Sequence, residues 1–76
     1  MSVSIGDNIR ALRIKAGMTQ SRLAERLGVT DQAVSKWETG AASPDLSLIV
    51  PLTRLFGVTA DALLGIDRPA EEARRQ

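Results

Sequence analysis

Five side chains on one short stretch carry the chemistry this sequence offers. Gln32, Ser35, Lys36 and Thr39 fall at i, i+3, i+4 and i+7, with Asp31 beside them. That spacing gathers them on one face if the stretch is helical. None is a large apolar residue, and nearly all are short or medium chains with hydrogen-bonding tips. A helix face that is merely solvated usually carries long Glu and Lys. This mixture suits the edges of base pairs. Gln32 can pair twice with adenine, Lys36 can donate to guanine O6 and N7, Asp31 can accept from a cytosine amino group, and Ser35 can reach a base or a phosphate. The plain alternative is a solvated face, with Asp31 only favouring the positive end of its helix.

Other chemistries find little support. The chain has 76 residues and no Cys or His. Disulfides, thiolate metal sites and the commonest acid–base group are therefore missing. There is no glycine-rich phosphate loop and no carboxylate cluster, and so short a chain has little room for a pocket. An enzyme is not expected, nor a cofactor, a metal or a small-molecule substrate. The start lacks a basic segment followed by an apolar run, so no secretory signal is expected. No apolar run approaches the ~20 residues of a membrane span, and the expected location is the cytoplasm. Net charge is only +1. Residues 1–40 carry Arg10, Arg13, Lys15, Arg22, Arg26 and Lys36 against Asp7, Glu25, Asp31 and Glu38, a mild basic bias. Electrostatics alone does not point to nucleic acid.

The elements that must hold the polar face are short helices. Leu23, Ala24 and Leu27 form the apolar face of one, and Gly28 ends it. Ala33, Val34 and Trp37 repeat the spacing on the next, and Gly40 ends that. Ala24 is small where the two helices should approach most closely, and Val34 and Trp37 should fill the angle between them. Two short helices, a glycine turn and this inward set make a helix-turn-helix. Upstream, Ser4 caps a first helix whose buried stripe is Ile5, Ile9, Leu12 and Ala16, with Ile14 off the stripe and Gly17 at its end. Three starts share one device: Met18-Thr19 before Leu23, Val29-Thr30 before Val34, Val58-Thr59 before Leu63. Each Thr is expected to cap its helix, and each preceding apolar residue to staple onto the fourth helical position. Asp45 should cap a fourth helix with inward residues Leu46, Ile49, Leu52, Thr53 and Phe56. Pro51 should kink it or split it into two pieces. A fifth runs from Ala60 to about Leu64. Trp37 and Phe56 read as core. Residues 67–76 are charged, contain Pro69 and read as a disordered tail.

These residues resemble the phage-repressor and Cro type of helix-turn-helix domain, the XRE family. The resemblance rests on Gln20, Leu23-Ala24, Leu27-Gly28-Val29, Val34, Trp37-Glu38 and Gly40. Upstream it takes in Ile9-Arg10 and Leu12-Arg13; downstream, Pro44, Leu46, Ile49, Leu52, Phe56-Gly57-Val58 and Leu63-Leu64-Gly65. It covers about residues 5–66. It implies an all-α, compact five-helix lambda-repressor-like domain over residues 1–66, with helices 2 and 3 as the helix-turn-helix. It also implies double-stranded DNA as partner, a homodimer on DNA, and a transcriptional regulator, most often a repressor.

The resemblance further assigns Asp31, Gln32, Ser35 and Lys36 to base edges. Gln20 matches the family's phosphate-binding glutamine, which also braces the recognition helix; Thr30 and Thr39 are expected at phosphate beside it, and so is Arg22, whose unfavourable place in the first turn makes sense if a phosphate lies nearby. Arg13 and Glu38 match a partly buried salt bridge between helices 1 and 3, and Leu63, Leu64 and Ile66 a dimer interface. Two departures stand out. Arg22 replaces the Glu that often completes a capping box. Ala41, Ala42 and Ser43 follow Gly40, where relatives often place a phosphate-holding Lys or Arg. The missing charge leaves open a second reading, a helical protein-interaction module with only weak non-specific DNA binding.

Overall fold

The computed structural model describes residues 4–65. Five α-helices follow in order: α1 (Ile5–Lys15), α2 (Gln20–Leu27), α3 (Asp31–Thr39), α4 (Ile49–Phe56) and α5 (Ala60–Leu64), with a 3₁₀ turn, Leu46–Leu48, before α4. Ile66, the tail at 67–76 and residues 1–3 lie outside the described residues.

Local chemistry sets most of the boundaries. The Ser4 hydroxyl accepts from the Asp7 N–H, Thr19 from Arg22, Thr30 from Ala33, and Thr59 from Ala62. Each bond satisfies one of the free first-turn donors of its helix. Met18, Val29 and Val58, just before the three Thr caps, are partly buried against the core. Gly28 closes α2 at φ +71°, a left-handed geometry that glycine adopts without a Cβ clash.

The core is one cluster of Ile9, Leu23, Ala24, Val34, Trp37, Leu52 and Leu63. α3 is packed on one side by α2 and on another by α1, and α5 bridges α1 and α4. The Asn8 side chain fixes α1 to α5 by donating to the Leu63 carbonyl at 3.0 Å. Gly6, in the first turn of α1, lies directly on the main chain of Trp37.

Four expectations need correction. Leu46 is not inward; it is 85% exposed. Pro51 has no N–H to bond the Ser47 carbonyl four residues back, so α4 cannot extend through Leu46. The segment becomes two pieces instead, and the 3₁₀ turn takes Leu46 out of register with Leu52. Pro51 itself falls in the first turn of α4, where no intrahelical acceptor awaits its missing N–H, so the helix-interior penalty does not arise. Asp45 caps the 3₁₀ turn through the Ser47 N–H rather than α4, which starts without a side-chain cap. Ala16 is exposed, because α1 ends at Lys15 and Ala16 lies at its C-cap. It lines an open groove of about 360 Å³ with Leu12, Lys15, Leu55, Phe56, Gly57 and Val58. Trp37 is in the core, whereas Phe56 is half-buried and forms part of that groove.

Candidate nucleic-acid interface

α3 has a buried side and an open side. Val34 and Trp37 bury the first. Asp31, Gln32, Lys36 and Thr39 are exposed on the other, and Ser35 is half-buried beside them. Turning α3 about its own axis would carry Trp37 into water, so burial fixes which side chains face out.

Polar bonds fix the two ends of the helix. At the start, Thr30 uses a lone pair as the cap while its hydroxyl proton stays available. Ser21 on α2 donates to the Asp31 carboxylate at 3.3 Å, so Asp31 faces α2 as well as solvent. At the far end, Thr39 donates to the Lys36 carbonyl. Glu38, one residue earlier, is the hub of three helices. Its carboxylate takes Arg13 Nε at 2.7 Å and Nη2 at 3.0 Å, a two-point bridge from α1. It takes Gln20 Nε2 at 3.1 Å from the first residue of α2. Arg13 Nη1 also donates to the Met18 carbonyl, tying in the α1–α2 loop. The Arg13 and Glu38 side chains are only 12% and 3% exposed.

Burial pushes the Glu38 carboxyl up, but the hydrogen bonds from Arg13 and Gln20, with the pull of the Arg13 and Arg10 charges, outweigh it. Glu38 is held below the usual carboxylate range. The Glu38 hydrogen bond raises Arg13 correspondingly, against the opposing effect of its own burial.

Gln20 is therefore half-buried, with one amide N–H committed to Glu38 and, among the described residues, no other partner for its amide. Arg22 is exposed and forms an i,i+3 ion pair with Glu25. Sequence reasoning did not reveal Ser21, Asn8 or Gly6, whose partners lie on other helices. Of the residues assigned to a dimer interface, Leu63 is corrected: it is fully buried in the core and has no surface to offer a partner. Leu64 is 38% exposed. Among the described residues, no helix is long and apolar enough to cross a membrane.

The helix-turn-helix family model matches residues 9–63. The chain belongs to this helix-turn-helix family. Its relatives include the SPbeta prophage-derived uncharacterized HTH-type transcriptional regulator YonR of Bacillus subtilis, 39% identical over 59 residues, 78% of this chain and 55% of YonR. The HTH-type transcriptional regulator ImmR of the same organism is 33% identical over 70 residues, 92% of this chain and 55% of ImmR. The helix-turn-helix chain thus spans about half the length of these curated relatives. Among solved structures, it is similar to the P22 c2 repressor protein in complex with synthetic operator 9T. The TM-score is 0.79 at 30% identity, covering 87% of this chain and all of that one. Both the five-helix order and the helix-turn-helix at α2 and α3 agree with the all-α expectation.

Proposed function

We propose that this chain is a sequence-specific DNA-binding transcriptional regulator, acting as a repressor, with α3 laid in the major groove. One observation carries the reading: α3 is held from two sides by α1 and α2, and its open side presents only hydrogen-bonding or charged side chains. A reading head needs that combination, because base edges are discriminated only by donors and acceptors held in place. The similarity to a repressor solved on its operator supports the same placement.

In this reading Gln32, Ser35 and Lys36 contact base edges. Asp31 contributes from the helix start, where its charge also disfavours wrong sequences. Gln20, Thr30 and Arg22 hold phosphate, and Thr39 joins them when its one hydroxyl proton turns from the Lys36 carbonyl to the DNA. Arg22 gives up little in leaving Glu25, since exposed ion pairs contribute at most about 1 kcal/mol. Two copies read half-sites about 34 Å apart, paired through Leu64 and the chain beyond it, and the protein works in the cytoplasm.

Selection from a random duplex library at two salt concentrations tests this. The expected result is a near-palindromic consensus whose enrichment survives the higher salt. Weak binding with no consensus, lost as salt rises, would instead favour a protein-interaction module built on the same fold.

A further inference from the structure

Arg10 has no assigned role, yet the packing of α1 puts it in a defined place. Gly6, Arg10 and Arg13 fall at i, i+4 and i+7, one stripe of α1. Both neighbours on that stripe touch the last turn of α3. Gly6 lies against the Trp37 carbonyl and the Glu38 Cα. Arg13 bridges Glu38. Arg10, between them, is therefore carried to the same end of α3, next to the Glu38–Gln20 bond that marks the start of α2. Its charge is felt there, for it helps hold the Glu38 carboxylate ionised.

Arg10 differs from Arg13 in being spare. Its side chain is exposed. Among the described residues the ion pairs are Arg13–Glu38 and Arg22–Glu25, and neither uses it. Glu38 is already occupied by Arg13 and Gln20. The loop after α3, Ala41-Ala42-Ser43, brings no cation to this end of the helix. A DNA strand passing the start of α2 and the end of α3 would meet Arg10 as an unpaired guanidinium whose fork matches a phosphate.

We propose that Arg10 is a phosphate-binding residue of the interface, supplying from α1 the positive charge that the loop after α3 lacks. This rests on the DNA-binding reading and adds a contact to it. The contact carries no base preference, so it acts on affinity and salt dependence and leaves the consensus unchanged.

The test measures duplex affinity from 50 to 200 mM salt for the wild type, Arg10→Gln, Arg10→Lys and Lys15→Gln. Lys15 is the control because it loses the same charge from a different side of α1, at the groove beside Phe56. Arg10→Gln is expected to flatten the plot of log affinity against log salt by about 0.9 per bound protomer. The deficit to wild type then narrows about threefold per protomer across that range. Arg10→Lys should restore most of the slope, Lys15→Gln should leave it alone, and all four should stay folded, Arg10→Gln giving up only the small stability that its charge lends through Glu38.

An unchanged slope in Arg10→Gln, or an equal change in Lys15→Gln, overturns the inference while leaving DNA binding intact. A melting temperature for Arg10→Gln as low as that of Glu38→Ala overturns it in favour of a structural role. Wild type that binds no duplex at any salt overturns both readings together.

Discussion

Gly6 meets the main chain of Trp37 with no room for a side chain. A Cβ on Gly6 would stand 1.9 Å from the Trp37 carbonyl oxygen and 2.9 Å from its carbonyl carbon. The obstacle is backbone near the end of α3, so no rotamer change relieves it. α1 and α3 can hold their spacing only while residue 6 has no side chain.

Replacing Gly6 with alanine therefore sets two effects against each other. Alanine favours a helix over glycine by about 1 kcal/mol. Forcing α1 off α3 costs about 1–3 kcal/mol for a tolerant contact, and more where backbone must move. The expected outcome for Gly6→Ala is a net loss of about 2 kcal/mol or more in urea unfolding. A variant as stable as wild type, or more so, would mean that α1 and α3 do not meet this closely.

Glu38 should be the polar residue whose loss costs most. Removing it strands Arg13, whose side chain is 12% exposed, and frees the Gln20 amide. Breaking one partner of a buried pair costs about 3–5 kcal/mol. Glu38→Ala is expected to approach that range, and Arg13→Ala to be comparable. In a double-mutant cycle the combined variant should lose far less than the sum. Additive losses would show that the two charges act independently.

The same bridge gives stability a pH dependence of definite sign. Glu38 is ionised more readily folded than at its ordinary value of 4.5. A carboxyl with a depressed folded pKa stabilises fully above its unfolded value and loses that contribution as pH falls through the folded one. Wild-type melting temperature should thus be flat with respect to Glu38 above about pH 5.5 and drop below pH 4.5. Glu38→Gln should remove part of that acid limb. Acid limbs of equal steepness in both proteins would count against the bridge.

What could be read from the sequence and what could not divide by range. Thr19, Thr30 and Thr59 cap residues three positions on, and Gly28 and Gly40 end their helices. These are local choices with local causes, so element order and the outward face of α3 followed from spacing alone. Gly6 against Trp37, Asn8 against the Leu63 carbonyl, and Ser21 against Asp31 join residues 31, 55 and 10 positions apart. Nothing in the neighbourhood of Gly6 marks it as different from a mid-helix glycine with no partner. Leu46 failed for another reason. Its apolar character fits an inward position, but the missing N–H of Pro51 splits the segment and turns Leu46 out. Leu63 failed because a five-residue helix has few positions, and the core claims that one completely.

Leu63 and Leu64 should accordingly respond in opposite ways. Leu63→Ala empties a fully buried site, with an expected loss of about 2–5 kcal/mol. Leu64→Glu alters a partly exposed position and should leave thermal melting nearly unchanged. If the proposed dimer uses Leu64, this variant should run as a monomer by light scattering on an operator duplex and bind with lower affinity. A Leu64→Glu protein that still loads two copies with wild-type affinity would remove Leu64 from the interface.

Gln32 and Lys36 give the sharpest test of the reading face, because base contacts and phosphate contacts leave different signatures. Each side chain is exposed and outside the core, so substitution by alanine should not lower the melting temperature. Losing a two-bond pair with a base costs about 1–3 kcal/mol of discrimination, roughly 5- to 150-fold, and only at the base pair concerned. Gln32→Ala should therefore relax one position of the selected consensus, and Lys36→Ala a different one, each repeated in the two half-sites. The salt slope should change little for Gln32→Ala, since no charge is lost. A uniform fall in affinity across all sequences, with the consensus unaltered, would assign both residues to the backbone and leave the reading of bases to the rest of α3.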